Sequence, residues 1–257
     1  MLRRIVRSLS KRWSIWRYTR AQTDVHAHWQ QALPGEVEFW RTFIGEPGGR
    51  WKDEFARRVD PNEPLEAWVR EHLDATPTAV VEILDVGAGP LTSLGKTWPG
   101  RQVSITAVDP LAVEYNELLR TQEVTPPVPV IRGEAEHLVA QFGHERFDLV
   151  HCANALDHCH DPLRAIQQCT SVVKTGSYVL LRHLRREAEN RAYTGLHQWN
   201  FDVRDGRLVV SDAWKETDLT QVLAGLADVD AHYEEDRDHP GRVWVVAALR
   251  KLAPSHS

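Results

Sequence analysis

Cysteine is scarce in this chain of 257 residues: only Cys152, Cys159 and Cys169 occur. An odd count without a framework excludes a disulfide scaffold and leads us to expect a reducing, cytoplasmic setting. Long apolar runs are missing too, and none approaches the length of a membrane span. There is no internal repeat and no low-complexity tract, which excludes a repeat architecture. Acid is absent from residues 1–20, which nevertheless hold seven of the 31 lysines and arginines. The rest of the chain is therefore more acidic than the net charge of −5 suggests. Such a body repels a phosphate backbone, so nucleic acid is a poor candidate substrate unless the basic arm recruits it.

The arm itself places Leu2, Ile5, Val6, Leu9, Trp13 and Trp16 at helical spacing between basic residues. Two readings stand side by side: a helix lying on an anionic membrane surface, or an extension without that role. Charges interrupt any apolar core, so no secretory signal is expected. With 42% hydrophobic and 26% charged residues the chain can bury a full core as one domain with additions. We divide it into the arm (1–22), a helical cap (23–78) and an α/β domain (79–257).

In the cap, Glu36–Ile44 is helical in character and Glu-Pro-Gly-Gly at 46–49 breaks it. Asn62 is expected to cap a helix with Leu65, Trp68, Val69 and Leu73 inward, before a linker at Ala75–Thr78. From Ala79 strand and helix alternate. Strands are expected at Val80–Val86, Ser104–Val108, Val128–Ile131, Phe147–Cys152 and Ser177–Leu184. Helices follow at about Leu91–Trp98, on Leu111, Tyr115, Leu118 and Leu119, and after the Asp161-Pro162 cap. A hairpin over Asn200–Asp212 turns at Asp205-Gly206, and Thr217 caps a short helix. Asp228–Tyr233 and Val243–Leu249 finish the sheet as an antiparallel pair. The fold expected is a Rossmann-like, seven-stranded, mostly parallel sheet with helices on both faces and an N-terminal helical extension.

The chemistry concentrates in Ile83-Leu-Asp-Val-Gly-Ala-Gly-Pro90, a strand running into two glycines where a ligand can approach the backbone closely. Asp109 ends the next strand, where a carboxylate can accept from two vicinal ribose hydroxyls. Together they describe an adenosine site. A dinucleotide fingerprint needs a third glycine, but Thr92 stands there. Asp85 adds negative charge beside the glycines, which suits an ammonium or sulfonium rather than a phosphate.

These segments resemble the motifs of class I methyltransferases that use S-adenosylmethionine. Ile83–Pro90 is similar to the first motif and Ala107-Val-Asp-Pro110 to the acidic second-strand motif. Gly133-Glu-Ala-Glu-His-Leu138 resembles the adenine segment, with Glu134 where many relatives have Asp. Phe147–His158 with Asp161-Pro162 resembles the fourth-strand motif, and Lys174–Leu181 the fifth. The resemblance implies that Asp85, Gly87, Ala88 and Gly89 hold the methionine end of the cofactor. It puts the ribose on Asp109, Pro110 beside the adenine, Glu134 and Ala135 at the adenine edge, and Cys152, Ala153 and Asn154 along the inner face. Arg186–Asn200 resembles a segment of bacterial enzymes associated with glycan and secondary-metabolite pathways, which implies a cover over the acceptor pocket.

The expected activity is O-methylation of a sugar or other small metabolite. Two rivals are a nicotinamide-dependent oxidoreductase, disfavoured by Thr92, and a non-catalytic protein that keeps the adenosine site. His197 and His183 are the candidate general bases. His151, His158 and His160, with nearby acids and cysteines, suggest a metal cluster, but strand alternation sends His151 and Cys152 to opposite faces. His158 is accounted for by the fourth-strand motif, and no metal is expected.

Overall fold

The computed structural model describes residues 25–73, 79–236 and 239–254. The basic arm and the linker after Leu73 lie outside the described residues.

Two sequence signals dominate the central sheet: apolar runs with β-branched residues, and glycine turns at their carboxyl ends. The strands are β1 (Val80–Val86), β2 (Gln102–Asp109), β3 (Val130–Arg132), β4 (Phe147–Ala153), β5 (Val173–Leu184), β9 (Ala227–Glu235) and β10 (Val243–Lys251). They form one sheet in the order β3-β2-β1-β4-β5-β10-β9. Strands β1 to β5 pair in parallel, and β10 runs antiparallel to both β5 and β9. Seven mostly parallel strands are as expected. The order reverses between β1 and β4, which opens the ligand crevice of a doubly wound sheet at their carboxyl ends. A second sheet holds β6 (Asn200–Arg204), β7 (Arg207–Ser211) and β8 (Glu216–Asp218). Its hairpin turns where sequence put it: Asp205 and Gly206 both have positive φ, 51° and 74°, the requirement of a type I′ turn.

Helices cover both faces. α1 (Val25–Gly45) packs Phe43 and Ile44 against Tyr115, Leu118 and Leu119 of α4 (Ala112–Thr121). α2 (Lys52–Val59) adds Phe55 to that cluster. α3 (Ala67–Glu71), flanked by Leu65 and Leu73, covers Val81, Ile83 and Leu149 on the same side. The opposite face carries α5 (Leu138–Phe142) and α6 (Pro162–Val172), with Ile166 and Cys169 against Leu84, Val150 and Leu181. There the small sheet adds Phe201, Leu208 and Val210. Period-two alternation sorts the strands: Ile83 and Leu149 face one core, Leu84 and Val150 the other. Two further short helices occur among the described residues, α7 (Glu187–Asn190) and α8 (Leu219–Val222).

Asp161 caps α6 by accepting from Arg164 N–H at 3.0 Å, with Pro162 in the first turn. Three local expectations fail. Asn62 caps nothing; its N–H donates to Asp60, and Glu66 precedes α3 without a side-chain cap. The cap of α8 is Asp218 rather than Thr217, because it is the Asp218 carboxylate that accepts from Gln221 N–H. Most consequential, residues 91–98 form no helix. Thr92 Oγ1 donates to Asp85 and accepts from Leu94 N–H, which competes with helical bonding. Lys96 and Thr97 then exchange backbone bonds with Glu63 and Leu65. Gly95 permits this packing, since a Cβ there would lie 2.0 Å from the Pro64 carbonyl oxygen.

Candidate active site

The glycine turn is fixed by backbone geometry. Gly87 and Gly89 have φ of 67° and 63°, strained for any other residue. A Cβ on Gly87 would meet Ala155 at 2.3 Å, and one on Gly89 would meet the Trp40 ring at 2.7 Å. Gly87 and Ala88 both donate to the Val108 carbonyl, tying the turn to the end of β2. Asp109 closes the arrangement: one oxygen accepts from Gly89 N–H at 3.1 Å, the other from Leu111 N–H at 2.9 Å. Each carboxylate oxygen keeps a further lone pair, as two ribose hydroxyls require. Burial raises the Asp109 carboxyl to about 7, against the lowering effect of those two backbone bonds. Gly133 N–H donates to the Asp109 carbonyl, which brings Glu134 and Ala135 to the same strand ends. Glu134 borders an open surface depression with Arg132, His137 and Gln141. With no helix after the turn, there is no helix N-terminus to hold a pyrophosphate. The glycine cradle and the paired lone pairs of Asp109 fit an adenosine cofactor.

Two of the expected cofactor residues have buried side chains. The Asp85 carboxylate is 2% exposed, one oxygen accepting from Thr92 at 2.6 Å and the other standing 2.7 Å from His151 Nδ1. It braces the turn from below. Cys152 points away from the crevice into the core with Cys169 and Leu181, where burial pushes its thiol well up. Asn154, at φ 51°, bridges β4 to β5 through bonds with Arg182 and Leu184.

Beyond the glycine turn the structure gathers residues that sequence spacing does not connect. Asp157 and His158 lie in a tight turn after β4, and His197 in the loop before β6. His197 Nδ1 is 2.8 Å from Asp157 Oδ2 and 3.0 Å from His158 Nε2. His158 Nε2 and Asp157 Oδ2 are 3.5 Å apart. Burial works against an ionised Asp157, but His158 and the His197 bond outweigh it and hold its carboxyl at about 2. On the far side of His158, Glu36 of α1 stands 3.9 Å from Nδ1 and accepts from Trp40 Nε1 at 2.8 Å. α1 thus reaches from the histidines to Gly89. Its His28 also touches the Gly195 carbonyl at 3.3 Å, beside the segment that carries His197. Sequence reasoning missed Glu36 altogether; nothing in its helical surroundings marks it.

His183, the other candidate base, is elsewhere. It is 1% exposed, stacked on Phe201 at 4.3 Å under the small sheet, and neither ring nitrogen has a hydrogen-bond partner. Burial drives its pKa down to about 4. With no open face it cannot receive an acceptor. Of the remaining histidines, His151 is taken by Asp85 and His160 by Glu136.

Comparison with known proteins agrees with this geometry. Residues 84–181 match the model of a methyltransferase domain. A ubiquinone biosynthesis O-methyltransferase of Stutzerimonas stutzeri is 28% identical over 151 residues, covering 56% of this chain and 62% of that protein. Another, from Azotobacter vinelandii, is 32% identical over 144 residues, covering 53% and 59%. The chain thus spans about 60% of the length of these curated relatives. The methyltransferase domain of the citrinin polyketide synthase aligns with a TM-score of 0.50 at 15% identity, over 72% of this chain and 51% of that one. That likeness is one of fold. No helix among the described residues is long and apolar enough to cross a membrane. Residues 84–181, with the glycine turn and Asp109 in place, are a methyltransferase domain of Rossmann-like fold, the kind that uses S-adenosylmethionine.

Proposed function

We propose that the protein methylates a hydroxyl group of a small-molecule acceptor, a sugar or another hydroxylated metabolite. The bound cofactor supplies an electrophilic methyl group on a sulfonium, and direct displacement needs alignment and exclusion of water more than covalent help. A hydroxyl must also lose its proton as the methyl arrives. The observation that carries the reading is the Asp157–His158–His197 cluster, set against the cofactor crevice and partly open, His158 and His197 side chains being 17% and 22% exposed. Two O-methyltransferases among the relatives support oxygen as the atom methylated. Acceptor activation is assigned to the cluster, with His197 its most exposed member. The loop 191–199 and α1 serve as cover, Trp199 donating to the Cys159 carbonyl across the crevice wall.

The test is in two parts. Mass spectrometry of small molecules carried through purification, with calorimetry, should find S-adenosylmethionine or its demethylated product; NAD or nothing would support one of the two rival readings. A methyl-donor assay over hydroxylated sugars and phenols should then find turnover that His197→Ala abolishes and His183→Ala does not. Product bearing the new methyl on nitrogen or carbon would overturn the assignment.

A further inference from the structure

The hydrogen bonding inside the cluster does not close. His197 Nδ1 faces a carboxylate oxygen at 2.8 Å and a second ring nitrogen at 3.0 Å. If it carries a proton for Asp157, His158 Nε2 is left against an N–H it cannot use. If it accepts from His158 instead, Asp157 Oδ2 loses its donor. Asp157 Oδ1 has no hydrogen-bond partner in either case, although the residue is 1% exposed. Unsatisfied buried carboxylate oxygens are costly and rare, and one proton cannot serve three converging atoms.

We infer that Asp157, His158 and His197 form a three-ligand site for a divalent first-row metal cation, with an open position for the acceptor oxygen. The three donor atoms lie 2.8, 3.0 and 3.5 Å from one another. Ligands about 2.0–2.1 Å from zinc in tetrahedral or octahedral geometry are spaced about 2.9–3.4 Å apart, so the atoms already mark out one face of a coordination sphere. Two imidazoles and one carboxylate suit zinc and its neighbours rather than magnesium or calcium. Three protein ligands leave a vacant position, the mark of a catalytic rather than a structural site. Glu36 lies 3.9 Å from His158 Nδ1, on the side from which a carboxylate would orient a ligating imidazole once it closed to hydrogen-bond distance.

This inference rests on the methyltransferase reading and deepens it. A hydroxyl oxygen on the cation gives up its proton to solvent at neutral pH. That oxygen then takes the methyl group as the carbon–sulfur bond breaks, and sulfur keeps the electron pair as a neutral thioether. Activation passes from His197 as a base to the cation that His197 helps to hold.

The test uses the full chain, stripped with chelator and titrated with zinc and with cobalt. One equivalent of zinc should bind per chain. Cobalt should show the visible bands of nitrogen and oxygen ligands, without the charge-transfer band of a thiolate. His158→Ala and His197→Ala should each weaken zinc binding by about a hundredfold or more, while His232→Ala, on an exposed strand position, leaves it unchanged. Should an alanine variant fail to fold, the cobalt spectrum of the wild type still decides the donor set. Thiolate bands, zinc binding indifferent to both substitutions, or full turnover in the chelated protein would overturn the inference. Calorimetry with S-adenosylmethionine on the chelated protein separates the two readings. Binding there without metal uptake by the cluster sinks only the metal site; no cofactor binding sinks the methyltransferase reading itself.

Discussion

The two halves of the crevice are built by different means. The cofactor half uses contiguous segments: a glycine turn, the end of β2 and the start of the loop after β3, held largely by backbone bonds to Val108 and Asp109. The acceptor half uses side chains brought from far apart, Glu36 from α1, Asp157 and His158 after β4, and His197 some 40 residues later. Backbone-built sites depend on which residues have no side chain. Side-chain-built sites depend on the whole fold being in place. The first kind survives as a motif; the second is invisible until the chain is folded.

That contrast can be broken most sharply at His197. His197→Ala should reduce turnover by about a hundred- to ten-thousandfold, the scale of losing acceptor activation, while cofactor affinity changes by less than about twofold. Calorimetry beside single-turnover kinetics would show whether the halves are as separable as their construction suggests. Coupled loss of both would mean that the acceptor half also shapes the cofactor site.

Asp109→Ala is the complementary cut. Loss of a charge-assisted acceptor should weaken S-adenosylmethionine binding by roughly ten- to a hundredfold, about 1.5–3 kcal/mol, and leave turnover at saturating cofactor less affected than affinity. pH sharpens the same point. With its carboxyl at about 7 in the free protein, Asp109 must shed a proton before it can accept from both ribose hydroxyls. Affinity should therefore rise with pH up to about 7 and level off above it, falling at most tenfold per unit on the acid side. A flat calorimetric profile from pH 5.5 to 8 would show that the carboxyl binds in either form.

A smaller effect is expected away from both halves. Asp202 accepts from Arg185 at 2.8 Å and from Arg186 at 2.7 Å, and also binds the Tyr233 hydroxyl. Burial opposes its ionisation, but these partners together hold the carboxyl at about 2. A carboxyl held below its unfolded value of about 3.8 adds stability above that pH and loses it as pH falls through about 2. Asp202→Asn should cost about 1–2 kcal/mol at pH 7, partly screened by the half-exposed arginines. The gap between wild type and variant in denaturant melts should close towards pH 2.

Much of the cofactor half was legible because its physics is local. The apolar run into Gly87 and Gly89, the carboxylate at the end of β2, the Asp161-Pro162 cap and the Asp205-Gly206 turn all state their conformation within a few residues. The failures were places where distant segments intervened. Residues 91–98 have helix-compatible spacing, yet Thr92 bonds to Asp85 and Glu63 captures the backbone of Lys96 and Thr97. His183 sits at a strand end, as a crevice residue should, but Phe201 of the second sheet covers it. His158 was set aside as part of a motif, because nothing along the chain announces that His197 folds back onto it.

The sheet that carries all this has two open margins, and they differ. β3 is only three residues long, while β9 runs for nine at the opposite margin, most of them exposed. A strand of that length is a template on which a second chain can add. Exposed carboxylates at Asp228, Asp230 and Glu235 recur along it. Two copies approaching edge to edge would set these charges against each other. The margin is therefore guarded by repulsion between like charges, which disfavours a second copy adding to the sheet there.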